Sequence, residues 1–155
     1  MICNQGVVAR TARSSRISGF SLIELMMVIV IVGILATIAV PSYQSSVLRS
    51  HRLIAQGILT DTAARQAQYF VNNKAYAATL EELGLPDPFY VNANADVSAE
   101  ADAMYQIALV ADSGQWDGFE AKPLNSQVND TSCATLSLSR TGAKSASGRD
   151  PSRCW

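Results

Sequence analysis

The dominant pattern along this chain is an apolar block followed by an alternation of apolar and polar positions. Residues 20–40 run for 21 positions with one charge, Glu24. As a helix this block spans about 32 Å at 1.5 Å per residue, close to the thickness of bilayer hydrocarbon. From Ser42 the pattern turns amphipathic. Val47 and Leu48, His51, Ile54 and Ala55, Ile58 and Leu59, Thr62, Gln66, and Tyr69 and Phe70 recur at helical spacing. Arg49, Arg52, Asp61 and Arg65 fall largely between them. The spacing predicts one helix from about Ser21 to Val71, ended by Asn72 and Asn73. Its second half should lay one face on a C-terminal domain.

Beyond the helix the periodicity changes. Residues 76–103 read as a loop region with one turn of helix at 79–83, closed by Gly84. Pro86 and Pro88 enforce irregular backbone there. Residues 92–102 are small, polar and acidic, as in a mobile surface loop. Strands are predicted at 104–110, 119–123 and 134–139. Turn signals stand at Ser113-Gly114, Asp117-Gly118 and Thr141-Gly142, and Pro123 suits a strand end. The expected fold class is α+β, a long N-terminal helix packed on a small antiparallel sheet.

Composition sharpens this. The 155 residues suffice for one domain. At 48% apolar, 16% charged and net charge −1, the chain excludes a disordered polyelectrolyte. Arg10, Arg13 and Arg16 precede the apolar block and no acid accompanies them, which favours a cytoplasmic location for that side. Arg49 and Arg52 soften the bias. No small-residue cleavage site ends the block, which continues into Val40-Pro41-Ser42-Tyr43. Glu24 is out of place in a plain anchor: a charge at mid-bilayer costs about 2.5–3.5 kcal/mol, although a helix N-terminus favours an anion. It reads either as an interfacial acid or as a carboxylate awaiting a positive partner.

Catalytic constellations are missing from the sequence. The one histidine, His51, lies on the helix stripe and makes neither a triad nor a metal site alone. No His-Glu-x-x-His, Gly-x-Ser-x-Gly or phosphate-loop motif occurs. Asn92, Asn94 and Asp96 start like a calcium loop, but Val97 replaces the required glycine and Ala103 the bidentate glutamate. The expectation is therefore no enzyme, no cofactor and no metal. Arg140, Lys144, Arg149 and Arg153 against Asp150 give the tail a local +3 and are the candidate DNA contacts. Without Arg10, Arg13 and Arg16, nine basic residues face thirteen acidic ones, and that net −4 opposes long-range attraction to phosphate.

Gly19-Phe20-Ser21-Leu22-Ile23-Glu24-Leu25 ahead of an unbroken apolar helix resembles the processing site of type IV prepilins. The resemblance implies that a prepilin peptidase/methyltransferase cuts after Gly19 and methylates the new N-terminus at Phe20. Glu24 would then pair with a neighbour's terminal amine and register it in the filament; pairing the two charges offsets much of their burial cost. Gly33 and Pro41 would mark a segment able to kink and lose helicity in filaments. Residues 1–19 would be a leader that includes Cys3, 20–41 a transmembrane and filament-core helix, and 42–155 a periplasmic or extracellular pilin domain that includes the second half of the helix. Cys133 and Cys154 resemble the disulfide-bounded C-terminal region of these pilins, and export makes a disulfide the default for such a pair. Lys122-Pro123, Gln127, Asp130-Thr131, Cys133, Leu136, Leu138, Gly142 and Cys154-Trp155 are similar to PilE-type minor pilins. The helix end agrees, at Ala64-Arg65-Gln66, Tyr69 and Tyr76-Ala77.

The expected role is a structural subunit of a type IV pilus, a minor pilin taking part in assembly and in pilus-dependent motility or adhesion. Its partners would be other pilin subunits and the inner-membrane assembly machinery. It would wait as a single-pass protein of the inner membrane and end in a surface pilus. The alternatives are a major pilin, a type II secretion pseudopilin and a DNA-uptake pilin.

Overall fold

The computed structural model describes residues 20–155. Arg10, Arg13, Arg16, Cys3 and Gly19 lie outside the described residues. The chain divides into two compact units, one ending at Val40 and one comprising Pro41–Trp155.

Helix α1 is Leu22–Asn73. The polar pair at 72–73 ends it, and Lys74 takes a left-handed conformation (φ 58°) while its N–H still reaches the Phe70 carbonyl. Gly33 and Pro41 both lie in helical backbone. Through Val40 every side chain of the helix is exposed. In the second unit a buried line forms from Ala55, Leu59, Thr62 and Gln66, on the face expected from the periodicity.

That line meets a five-stranded antiparallel sheet of strictly sequential order: β1 (Phe89–Val91), β2 (Tyr105–Asp112), β3 (Gln115–Pro123), β4 (Leu136–Ser139) and β5 (Lys144–Ala146). Alternation puts Phe89, Val91, Tyr105, Ile107, Phe119, Ala121, Leu136 and Leu138 into one core with Ala55 and Leu59. Cross-strand register stacks them, with Phe89 opposite Ile107, Ile107 opposite Ala121, and Ala121 opposite Leu136.

The sequence signals locate β2, β3 and β4 but miss both edges. β1 is three residues long and lies inside the segment read as loop, directly after Pro88, where no alternating run is long enough to register. β5 pairs with β4 across a hairpin turned at Gly142 (φ 81°). The Asp117-Gly118 signal is not a turn: β3 begins at Gln115, and Gly118 sits within it opposite Ser139. A Cβ at Gly118 would strike the Leu138 carbonyl oxygen and come within 2.9 Å of the Ser139 Cα. The glycine permits close strand approach, next to an irregularity between Val110 and Ala111. A short 3-10 turn at Glu81–Leu83 is closed by left-handed Gly84, as expected. The acidic loop is pinned at its start, where the Asn92 side chain accepts from the N–H groups of Asn94 and Asp96.

Candidate functional site

Three sites can be built from these elements. The first is the apolar half of α1. Fifteen large apolar side chains between Phe20 and Val40 are each 49–83% exposed. At about 1–2 kcal/mol per partly covered side chain, returning them to an apolar surrounding is worth on the order of 20 kcal/mol, as much as or more than the whole stability of a typical domain. Such a surface requires lipid or other helices around it. Glu24 stands in the first turn of α1, and Phe20 is exposed just before it.

The second is the C-terminal region and its ties to α1. Cys133 and Cys154 form a disulfide with Cα atoms 5.5 Å apart. In the chain-entropy model a loop of this length contributes roughly 3 kcal/mol. Around it lies a buried polar network. The Arg52 guanidinium donates to both carboxylate oxygens of Asp130, at 2.5 and 3.0 Å, and the Asp130 side chain is only 1% exposed. The same carboxylate accepts from the Cys133 N–H. Gln127, fully buried, turns its amide nitrogen toward the Tyr105 hydroxyl at 2.9 Å, the Leu48 carbonyl at 3.2 Å and Asp130 at 3.3 Å. Its oxygen therefore faces His51, so His51 donates from Nδ1 at 2.9 Å. Burial, then the nearby Asp130 carboxylate, pushes the Tyr105 phenol well above its usual pKa. Gln56 completes the ties by donating to the Cys154 carbonyl at 2.6 Å.

The third is the surface around the tail. The four candidate DNA contacts do not share one cleft. Arg140 lines a cavity beside Phe70, Tyr76 and Trp116, whose rings form a ladder with centroids 4.5 and 4.8 Å apart. The Lys144 ammonium lies 5.1 Å over the Trp155 ring. Arg149 is exposed in the segment before Pro151. Arg153 lines a separate cleft with Arg49 and Arg52. Sequence reasoning did not anticipate the Arg52–Asp130 pair, the Gln127 hub or the aromatic ladder. Only the coincidence of Gln127 and Asp130 with pilin-like positions pointed toward the network. Among the described residues, no group of three or more His, Cys, Asp and Glu side chains gathers as for a metal ion.

Comparison with known proteins adds to this geometry. A family model described as "Type IV minor pilin ComP, DNA uptake sequence receptor" matches residues 41–137. One described as "Prokaryotic N-terminal methylation motif" matches residues 14–40. The chain is 28% identical over 137 residues to Fimbrial protein EcpC of Eikenella corrodens, covering 88% of this chain and 79% of the relative. It is 32% identical over 108 residues to the Type IV wide pilus major component PilA4 of Thermus thermophilus, covering 68% and 81%. To Type II secretion system core protein G of Pseudomonas aeruginosa it is 41% identical over 66 residues, 43% of this chain and 46% of the relative.

Proposed function

The chain belongs to the type IV pilin family, and from that membership we propose that it works as a minor structural subunit of a type IV pilus rather than as an enzyme. The observation that carries the reading is the exposed apolar surface of α1 through Val40, in which Glu24 is the one charged side chain. Lipid covers that surface before assembly, and neighbouring helices cover it in the filament. In this reading a prepilin peptidase/methyltransferase cuts between Gly19 and Phe20 and methylates Phe20. Glu24 takes the terminal amine of an adjacent subunit. Loss of helicity between Gly33 and Pro41 lets the helices nest. Residues 1–19 are a leader, 20–41 the membrane and filament-core segment, and 42–155 the exported domain. The precursor waits in the inner membrane with that domain periplasmic, and inner-membrane assembly machinery passes it into a surface pilus.

Mass spectrometry of pili sheared from native cells tests this. The expected result is a chain beginning at methylated Phe20, at a small and reproducible ratio to the dominant subunit. Dominance would make it the major pilin, and absence from clean pili would overturn the pilus reading in favour of a secretion pseudopilus. The latter is disfavoured by likeness to core protein G over 66 residues only, against 137 for EcpC.

A second reading is favoured by the family's description as a DNA uptake sequence receptor: duplex DNA contacts through Arg140, Lys144, Arg149 and Arg153. Binding through these residues would weaken with salt. DNA affinity and transformation unchanged in the fourfold alanine variant would dismiss it.

A further inference from the structure

The cleft that holds Arg153 is not explained by filament core, disulfide or DNA stripe. It has a volume of about 480 Å³ and is lined by Arg49, Arg52, Arg153, Ser45, Ser46 and Ser132, with Asp150. Ser45, Arg49 and Arg52 succeed one another at four- and three-residue spacing, so they stand on one helix face. Arg52 is committed to Asp130. Arg49 makes no ion pair among the described residues. Arg153 is 83% exposed on its side chain and meets Asp150 only at 3.8 Å. Three guanidinium groups against two carboxylates leave the cleft with one surplus positive charge and one guanidinium wholly free.

We propose that this cleft binds the phosphodiester of an anionic phospholipid headgroup while the subunit waits in the membrane. The proposal rests on the membrane-anchored precursor inferred above. Its level along the helix supports it. Tyr43 is 73% exposed, and exposed aromatic residues beside an apolar span mark the membrane–water boundary. Arg49 follows Tyr43 by six residues, about 9 Å of helix. Helical side chains lean toward the N-terminus, and long basic side chains reach along apolar surface to place their charge at the headgroups. The Arg49 guanidinium thus comes down to the headgroup layer, where Ser45 and Ser46 already stand. Both serine hydroxyls donate to the Ser42 carbonyl, and Ser132 lines the same cleft. The fork of an arginine suits phosphate oxygens in two-point contact. Duplex DNA fits less well. It presents a row of phosphates, whereas this is a single short cleft, and Arg140 lines a separate cavity. Entry into a filament would strip the headgroup away and free Arg49 and Arg153 for a neighbour.

The test uses the full chain in detergent, and native mass spectrometry counts retained phosphatidylglycerol and phosphatidylcholine. The wild type should retain phosphatidylglycerol about 5- to 10-fold over phosphatidylcholine, whose trimethylammonium offsets the charge of the shared phosphodiester and repels the free guanidinium, a difference on the scale of one partly exposed charge pair. Arg49→Gln with Arg153→Gln should abolish that preference without shifting the melting temperature, since neither residue belongs to the buried network. Equal retention by the double variant overturns the proposal. So does protection by millimolar inorganic phosphate equal to that by lipid, or binding of a 12-base-pair duplex in place of phosphatidylglycerol. Flotation with vesicles of phosphatidylcholine, with and without phosphatidylglycerol, tests the anchor separately. Flotation without headgroup preference sinks the cleft alone, and failure to float sinks the membrane reading.

Discussion

Asp130→Asn is the sharpest probe of how the C-terminal region is held. The substitution keeps the shape of the side chain and removes its charge. In the native protein that carboxylate receives two bonds from Arg52, one from the Cys133 N–H and one from the Gln127 amide. After substitution the guanidinium, with a side chain 16% exposed, keeps its charge without a counterion. The new amide also turns a donor toward groups that are themselves donors. Breaking a buried pair by removing one partner costs about 3–5 kcal/mol. The partial exposure of Arg52 lets water recover some of this, so the low end, about 3 kcal/mol, is expected. For a domain of this size that corresponds to a melting temperature lower by about 12 °C. Thermal unfolding of the full chain in detergent, followed by the fluorescence of Trp116 and Trp155, measures it. Arg52→Met combined with Asp130→Leu should recover only the part due to the stranded guanidinium, because the leucine still leaves the Cys133 N–H and the Gln127 amide without their acceptor. A single-variant loss below ~1 kcal/mol, or a coupling in the double-mutant cycle below ~0.5 kcal/mol, would refute the reasoning.

Other perturbations read other parts of the structure. Cys133→Ser should lower the melting temperature under oxidising conditions by an amount matching roughly 3 kcal/mol; an unchanged melting point would mean the bridge is energetically idle. Gly118→Ala should destabilise by about 1–3 kcal/mol through overpacking against the Leu138 carbonyl, and wild-type stability would show that β4 yields freely. The raised Tyr105 pKa means the unfolded chain ionises this phenol first, near its ordinary value of about 10. Its contribution is therefore complete below pH ~10 and is lost as pH rises beyond it. Tyr105→Phe should make the alkaline fall of stability shallower, and parallel curves for the two proteins would contradict this. Glu24→Ala should leave leader cleavage intact but cut surface incorporation at least several-fold in sheared pili, an assay in which normal incorporation would remove the registration role.

The parts legible in the sequence are those in which a single period repeats for long enough. The apolar block, the stripe Ala55, Leu59, Thr62 and Gln66, and the alternation in β2 and β4 each fall in that class. β1 and β5 escaped because three residues carry no period; cross-strand pairing creates them. Asp117-Gly118 misled because a glycine serves equally for a turn and for close strand approach, and only the neighbouring strand decides. The Cys133–Cys154 bridge was legible from the resemblance and from the count of cysteines left after the leader. The Arg52–Asp130 pair joins positions 78 residues apart, and neither residue departs from ordinary surface composition in its own surroundings. Arg49 and Arg153 stand out in the sequence separately, as part of the charge bias and as a candidate DNA contact, and only the fold sets them around one cleft.

The ties between α1 and the C-terminal region have a mechanical consequence. The Leu48 carbonyl, the Arg52 guanidinium and the Gln56 amide each hold a different point of that region. They lie four residues apart, one helical turn from each to the next. A tensile load along the helix axis would meet these three attachments side by side, in shear. Attachments loaded in shear must fail together, whereas those peeled from one end fail in sequence. The disulfide joins two of the anchored segments covalently, so force reaching the tail is spread over the row rather than concentrated at its last bond.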